Sequence, residues 1–229
     1  MKLPEQETMR ARPVSIPFTG GTLSGELTEG PQARGIVIFA HGSGSGASSP
    51  RSRCVAQALQ REGIATLLFD LLTGEEQEKV SKRFDISLLT ERLLNAVAWI
   101  GREPTLGRLP IGFFGASTGA AAALRAAATL DGLVQAVVSR GGRTDLTGRS
   151  IVDVVSPTLL VVGERDEDVL ALNQQTIKEL RCEKRLAVIP GATHLFEEEG
   201  ALQAVAEVAA VWFKNHLRPE RTAPQAHAL

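Results

Sequence analysis

Short, continuously apolar runs alternate along most of this chain with longer stretches in which apolar residues return every three or four positions. The short runs after Gly35 are Ile36–Ala40, Ala65–Leu71, Ile111–Phe114, Ala136–Ser139, Thr158–Val162 and Arg185–Ile189. A strand that is apolar at nearly every position has both faces covered, as parallel strands joined by crossover helices do. The stretches Arg51–Glu62, Asp85–Ile100, Thr118–Thr129, Val169–Leu180 and Ala201–Leu217 are the predicted helices. In the second of these, Ile86, Leu89, Leu93, Val97 and Ile100 make one apolar stripe, while Glu91, Arg92 and Asn95 fall elsewhere. Upstream, Pro13–Phe18 and Thr22–Leu27 flank the turn Thr19-Gly20-Gly21 and predict a hairpin. The pattern therefore predicts an α/β protein: a mostly parallel central sheet, helices on both faces and an N-terminal hairpin. No insertion is long enough for a lid domain. The polar stretch Thr73–Phe84, the one candidate flap, reads as a solvated loop.

Composition narrows the class. A chain of 229 residues with 43% apolar residues suits one α/β domain over 1–229, with its core at about 13–217 and a flexible polar tail at 218–229. A net charge of −1 argues against nucleic acid or a membrane surface as a partner. Neither Cys54 nor Cys182 belongs to a C-x-x-C pair, so both are expected to be reduced thiols without metal or redox work. Met1–Glu7 has no apolar core of a secretory signal, and no apolar run approaches the ~20 residues of a membrane span. A cytoplasmic location is the expectation.

The chemistry enters at Gly115-Ala116-Ser117-Thr118-Gly119, a G-x-S-x-G set between an apolar strand and an alanine-rich helix. That context makes Ser117 a nucleophile at a sharp strand-to-helix turn, with the Thr118 N–H offered to an oxyanion. The base must come from four histidines. His216 lies in an amphipathic helical run and reads as an exposed helix residue, His227 sits in the polar tail, and His41 ends a strand and reads as shaping a loop. His194, in a loop beyond the strand Arg185–Ile189, remains as the base. Four acids, Glu164, Asp166, Glu167 and Asp168, crowd the loop after Thr158–Val162, and composition does not choose among them. The chain order of serine, an acid near 166, then histidine is that of α/β-hydrolases. Each candidate follows the C-terminal end of its own strand, the edge where open parallel sheets form sites.

From about Gly35 to Leu217 the chain resembles the dienelactone hydrolase-like members of the α/β-hydrolase superfamily. Gly163, Asp166 and Val169 match that family's G-x-x-D-x-x-V acid loop, and His41-Gly42-Ser43-Gly44-Ser45-Gly46 matches its His-Gly loop. The resemblance implies the α/β-hydrolase fold, Asp166 as the triad acid with Asp168 as runner-up, and the Ser43 N–H as the second oxyanion donor beside Thr118. Dienelactone hydrolases proper carry a cysteine nucleophile; Ser117 stands there in this chain and points toward ordinary ester hydrolysis. The loop Gly42–Gly46 fits neither the P-loop, since Ala47 replaces the lysine, nor a dinucleotide fingerprint.

The expected function is cleavage of small carboxylic esters by Ser117, His194 and Asp166 through an acyl-enzyme, with no metal or organic cofactor. Acyl transfer to another acceptor, and a non-catalytic binding protein on the same fold, are the rival readings. Arg140-Gly141-Gly142-Arg143 follows a strand at the same sheet edge, and Arg140 is a candidate for holding a substrate carboxylate. Solvated arginines, or ion pairs to Asp145 or Asp166, are the plainer expectation for this turn, and Arg51 and Arg53 share the ambiguity.

Overall fold

Alternate residues of the central strands feed two separate cores, one on each side of a sheet. In the computed structural model, which describes residues 9–218, the strands are β1 (Arg10–Phe18), β2 (Gly21–Glu29), β3 (Ile36–Ala40), β4 (Ala65–Phe69), β5 (Ile111–Ala116), β6 (Val134–Arg140), β7 (Thr158–Gly163) and β8 (Lys184–Ile189). Their order across the sheet is β1-β2-β4-β3-β5-β6-β7-β8. β1 and β2 are antiparallel to their neighbours, and β3 to β8 are parallel. This is the expected mostly parallel sheet with an N-terminal hairpin. The hairpin is longer than predicted at both ends, and pairing Phe18 with Gly21 leaves only Thr19 and Gly20 in the turn. Gly20 sits at φ +104°, a conformation that favours glycine.

The helices are α1 (Pro50–Arg61), α2 (Gly74–Gln77), α3 (Val80–Arg83), α4 (Ile86–Ile100), α5 (Thr118–Thr129), α6 (Glu167–Glu179) and α7 (Ala201–His216). Ile36, Ile38, Phe113, Val137 and Leu160 point into the core beneath α4 and α5. Val37, Phe39, Phe114, Val138 and Val161 point the other way, against α1 and α7. The two-residue period of a strand explains why neighbouring apolar residues serve opposite cores.

Two segments depart from the expectation. Thr73–Phe84 is not a plain loop: it holds α2 and α3, with a capping box in which Thr73 and Glu76 satisfy each other's backbone N–H groups. Neither short helix buries a residue, so no periodicity announced them. Thr144–Asp153 forms 3-10 turns that the sequence did not predict; only Thr144, Thr147 and Ile151 are buried there. The tail beyond 218, and with it His227, lies outside the described residues.

Candidate active site

The turn after β5 is shaped by what cannot fit around it. A Cβ at Gly115 would strike the backbone of Ala120, and one at Gly119 would strike the carbonyl oxygens of Ala40 and His41. Only glycine allows α5 to begin this close to β5 and β3. Ser117, between them, takes φ 49°, ψ −118°, a strained conformation costing about 1–3 kcal/mol. Its N–H donates to Arg140 O at 3.1 Å, and its own carbonyl accepts from Arg143 N at 3.1 Å. Ser117 thus anchors the Arg140–Arg143 turn from both ends. Thr118 is the first residue of α5, where no intrahelical acceptor exists for its N–H.

The loop Gly42–Gly46 lies directly over the serine: a Cβ on Gly42 would sit 3.1 Å from Ser117 Cβ. Two residues pin this loop. His41 is buried and accepts from Leu71 N through Nε2 at 2.9 Å, so Nδ1 carries the proton and donates to Gly42 O at 3.0 Å. Burial pushes its pKa down, and the ring is neutral at neutral pH. The Asp70 carboxylate accepts from Ala47 N at 2.8 Å. His41 therefore shapes the loop, as its position suggested; Asp70 was missed, and only its place just past β4 could have pointed to it. α2 and α3 bring Gln77 and Arg83 close to Ser43 and Thr118, and Gln77 Nε2 donates to Ser45 O at 3.4 Å. The candidate flap packs against the Gly42–Gly46 loop.

His194 and Asp166 come together from the loops after β8 and β7. His194 Nδ1 lies 2.6 Å from Asp166 Oδ2, with side-chain exposures of 37% and 12%. His194 Nε2 has no hydrogen-bond partner among the described residues, and a Cβ on Gly141 would lie 3.3 Å from His194 Cε1. The imidazole therefore stands over the turn that Ser117 anchors. Asn173, wholly buried on α6, donates to Gly142 O at 2.9 Å and steadies the same turn, a role no sequence signal announced. Asp168 is exposed in the first turn of α6 and does not meet His194.

The other candidates separate cleanly. Arg143 forms a two-bond pair with Asp145, Arg53 pairs with Glu26 at 3.3 Å, and Arg51 reaches Glu197 at 3.6 Å. Arg140 overturns the expectation of a solvated or paired arginine, because it is buried at 7% exposure and makes no ion pair among the described residues. His216 is not an exposed helix residue: it is largely buried, donates from Nδ1 to Trp212 O at 2.8 Å and turns Nε2 to Glu183 at 3.2 Å. Cys54 and Cys182 are both free.

Comparison with known proteins agrees with this architecture. A family model described as an alpha/beta hydrolase domain matches residues 33–209. A crystal structure of a dienelactone hydrolase from Anabaena variabilis is 50% identical and superposes with a TM-score of 0.89, covering 92% of this chain and all of that one. Est1E from Butyrivibrio proteoclasticus, 18% identical with a TM-score of 0.76 over 89% of this chain and 98% of its own, shares the fold. Curated relatives from two strains of Mycobacterium tuberculosis, provisionally named phosphoribosyl transferases, are 54% identical over 195 residues, or 85% of this chain. The chain spans only 44% of the length of those relatives. The chain belongs to the α/β-hydrolase family, among its dienelactone hydrolase-like members. A hydrolase is the function class that membership supports. More than half of each mycobacterial relative lies outside the match, so their transferase name does not pass to this chain.

Proposed function

We propose that this hydrolase cleaves carboxylic esters with Ser117 as nucleophile, His194 as general base and Asp166 as the carboxylate that orients it. The observation that carries the reading is the 2.6 Å contact between His194 Nδ1 and Asp166 Oδ2, above the turn tied to Ser117. Asp166 fixes the tautomer, so Nε2 is the nitrogen that takes the Ser117 proton as Oγ attacks the ester carbon. The N–H groups of Ser43 and Thr118 receive the charge that develops on the carbonyl oxygen. Each such donor is worth about 3 kcal/mol in comparable sites. Collapse of the tetrahedral intermediate expels the alcohol, which His194 protonates, and leaves an acyl-enzyme. His194 then activates water to release the acid. Its partly exposed ring gives water access to that step.

Labelling with a fluorophosphonate, followed by peptide mapping, tests the nucleophile. Adduct on the Ser117 peptide, absent from Ser117→Ala, together with turnover of p-nitrophenyl esters, is expected. A folded protein that neither labels nor turns over esters would leave a binding role on this fold.

A further inference from the structure

The two edges of the sheet are built differently. β1 carries Pro13 and Pro17 along with Arg10 and Arg12, the prolines and charges with which free edges avoid pairing with other chains. β8, at the other edge, has no proline, and its stretch Leu186-Ala187-Val188-Ile189 is uncharged. Its ladder follows β7 without a shift, and no strand lies on its far side among the described residues. Glu183 O and Ile189 O accept from Thr158 N and Glu164 N on the β7 side. The alternation of a strand therefore turns the N–H and C=O groups of Lys184, Leu186 and Val188 outward. Apolar side chains flank this open edge on both faces. Val188, on the same face as Leu186 and α6, is 40% exposed, and Val211 of α7 is 57% exposed on the other.

The charges of this edge are split between its ends. At the start, Glu183 turns to His216 at 3.2 Å and Lys184 Nζ donates to Leu180 O. That leaves Arg185, exposed and without an ion pair among the described residues. At the far end the exposed Glu164 accepts from Gly191 N at 2.7 Å and is likewise in no ion pair among the described residues. Arg185 and Ile189, beside that turn, are about 13 Å apart at the rise of a strand, so the two charges do not meet within one chain. We propose that β8 pairs antiparallel with β8 of a second copy of this chain, across a two-fold axis at Ala187, and joins the two sheets into one. Opposed residues of an antiparallel pair share a face. In this register Leu186 and the partner's Val188 exchange hydrogen bonds through their outward groups, and Arg185 lies opposite the partner's Ile189. Arg185 then sits beside the turn that holds the partner's Glu164, and symmetry repeats the contact. A register centred on Arg185 would instead oppose two guanidinium groups. Arg185 and Val211 line one groove between β8 and α7, which the partner would cover. The turn braced in this way leads to His194, but the pairing does not depend on the reaction proposed above.

Sedimentation velocity on the full chain tests the pairing. At about 100 µM, well above a micromolar dissociation constant, the wild-type protein should sediment with the mass of two chains. Val188→Pro removes an outward N–H and leaves the β7 ladder intact, as proline at a sheet edge does. It should sediment as a monomer with an unchanged circular dichroism spectrum. Arg185→Glu and Glu164→Arg should each raise the dissociation constant about tenfold, since symmetry doubles the effect of one surface pair. The double reversal should bring it back within about threefold of wild type, the scatter of surface substitutions. Ala187→Cys probes the axis itself: residues across a non-hydrogen-bonded pair have Cα atoms about 4.5 Å apart, within disulfide reach. Mild oxidation should yield a covalent dimer whose mapped disulfide joins position 187 of the two copies. A wild-type monomer at that concentration would overturn the pairing. So would a dimer that Val188→Pro and the single charge reversals leave intact and that Ala187→Cys does not cross-link, because it would use another face. Should Val188→Pro fail to fold, the charge reversals and the cross-link decide.

Discussion

Ser117 holds its strained backbone because the residues two positions either side have no Cβ. This makes the glycines of the turn unequal to others nearby. Gly119→Ala would drive a methyl group into the Ala40 and His41 carbonyl oxygens, and backbone cannot yield as a side chain can. A loss of about 3 kcal/mol or more in urea denaturation is expected, at the upper end for overpacking. Gly44→Ala, in the loop above, meets nothing within 4 Å and should leave the same midpoint unchanged. A similar contrast separates the two aspartates of the acid loop. Asp166→Asn would trade the acceptor at His194 Nδ1 for an amide that can hold the wrong tautomer, so kcat should fall by about 10³ to 10⁴. Asp168→Asn touches nothing in the site and should change kcat less than about threefold, within the scatter of surface substitutions. Steady-state assays on the two variants decide between the carboxylates; equal losses would remove Asp166 from its role.

At the scale of elements, the candidate site is a set of loops pinned to strand ends, and the pins are separate from the groups proposed to react. Asp70 fixes Ala47 through one carboxylate oxygen. Asp70→Ala should therefore lower kcat/KM about tenfold by loosening the loop that carries Ser43, and Asp70→Asn should restore it, because the amide oxygen can accept the same bond. If Asn fails to rescue, the charge of Asp70 matters rather than the hydrogen bond. His41 adds a pH dependence. Its pKa is depressed in the folded protein, so its contribution to stability is fully present above the ordinary value of about 6.5. It falls away as the pH drops below that value and through the folded one. Melting temperature should decline as the pH falls below about 6.5 in the wild type and decline less in His41→Phe. Of the pins, His41 was legible in the sequence as a loop-shaping residue and Asp70 and Asn173 were not, whereas the residues proposed to react could be picked out there. A G-x-S-x-G between strand and helix is a local pattern, but Asp70, Asn173 and the burial of Arg140 exist only once distant loops meet. The flap offered a weak signal in Thr73-x-x-Glu76, a capping box without an apolar stripe behind it.

For the whole molecule, the runs of β3 to β7 that read as apolar at nearly every position are the ones the fold covers on both faces, which is why a mostly parallel sheet was legible from hydrophobic pattern and the order of its strands was not. The helices α1, α4, α5, α6 and α7 fall within a few residues of prediction; α1, α4 and α7 each lay a regular stripe on one core, and the alanine-rich α5 is buried along most of its length. The 3-10 turns after β6 were not legible, since their few buried residues include two threonines and follow no helical period. The two-sided construction also fixes the fate of the cysteines. Cys54 packs against the core under α1 and α7, and Cys182 against the core under α4 and α5, with the sheet between them. A disulfide needs Cα atoms within about 7 Å, and a sheet with side chains on both faces holds them farther apart than that. The burial that raises the Cys182 pKa also makes it a poor nucleophile. Losing a native disulfide typically removes about 2–5 kcal/mol, a shift of several degrees in a protein of this size. Dithiothreitol should therefore leave the melting temperature where it was, and alkylation after denaturation without reductant should modify both thiols. A reductant-dependent drop, with one or no thiol alkylated, would mean that the chain pairs its cysteines between molecules or through a rearranged sheet.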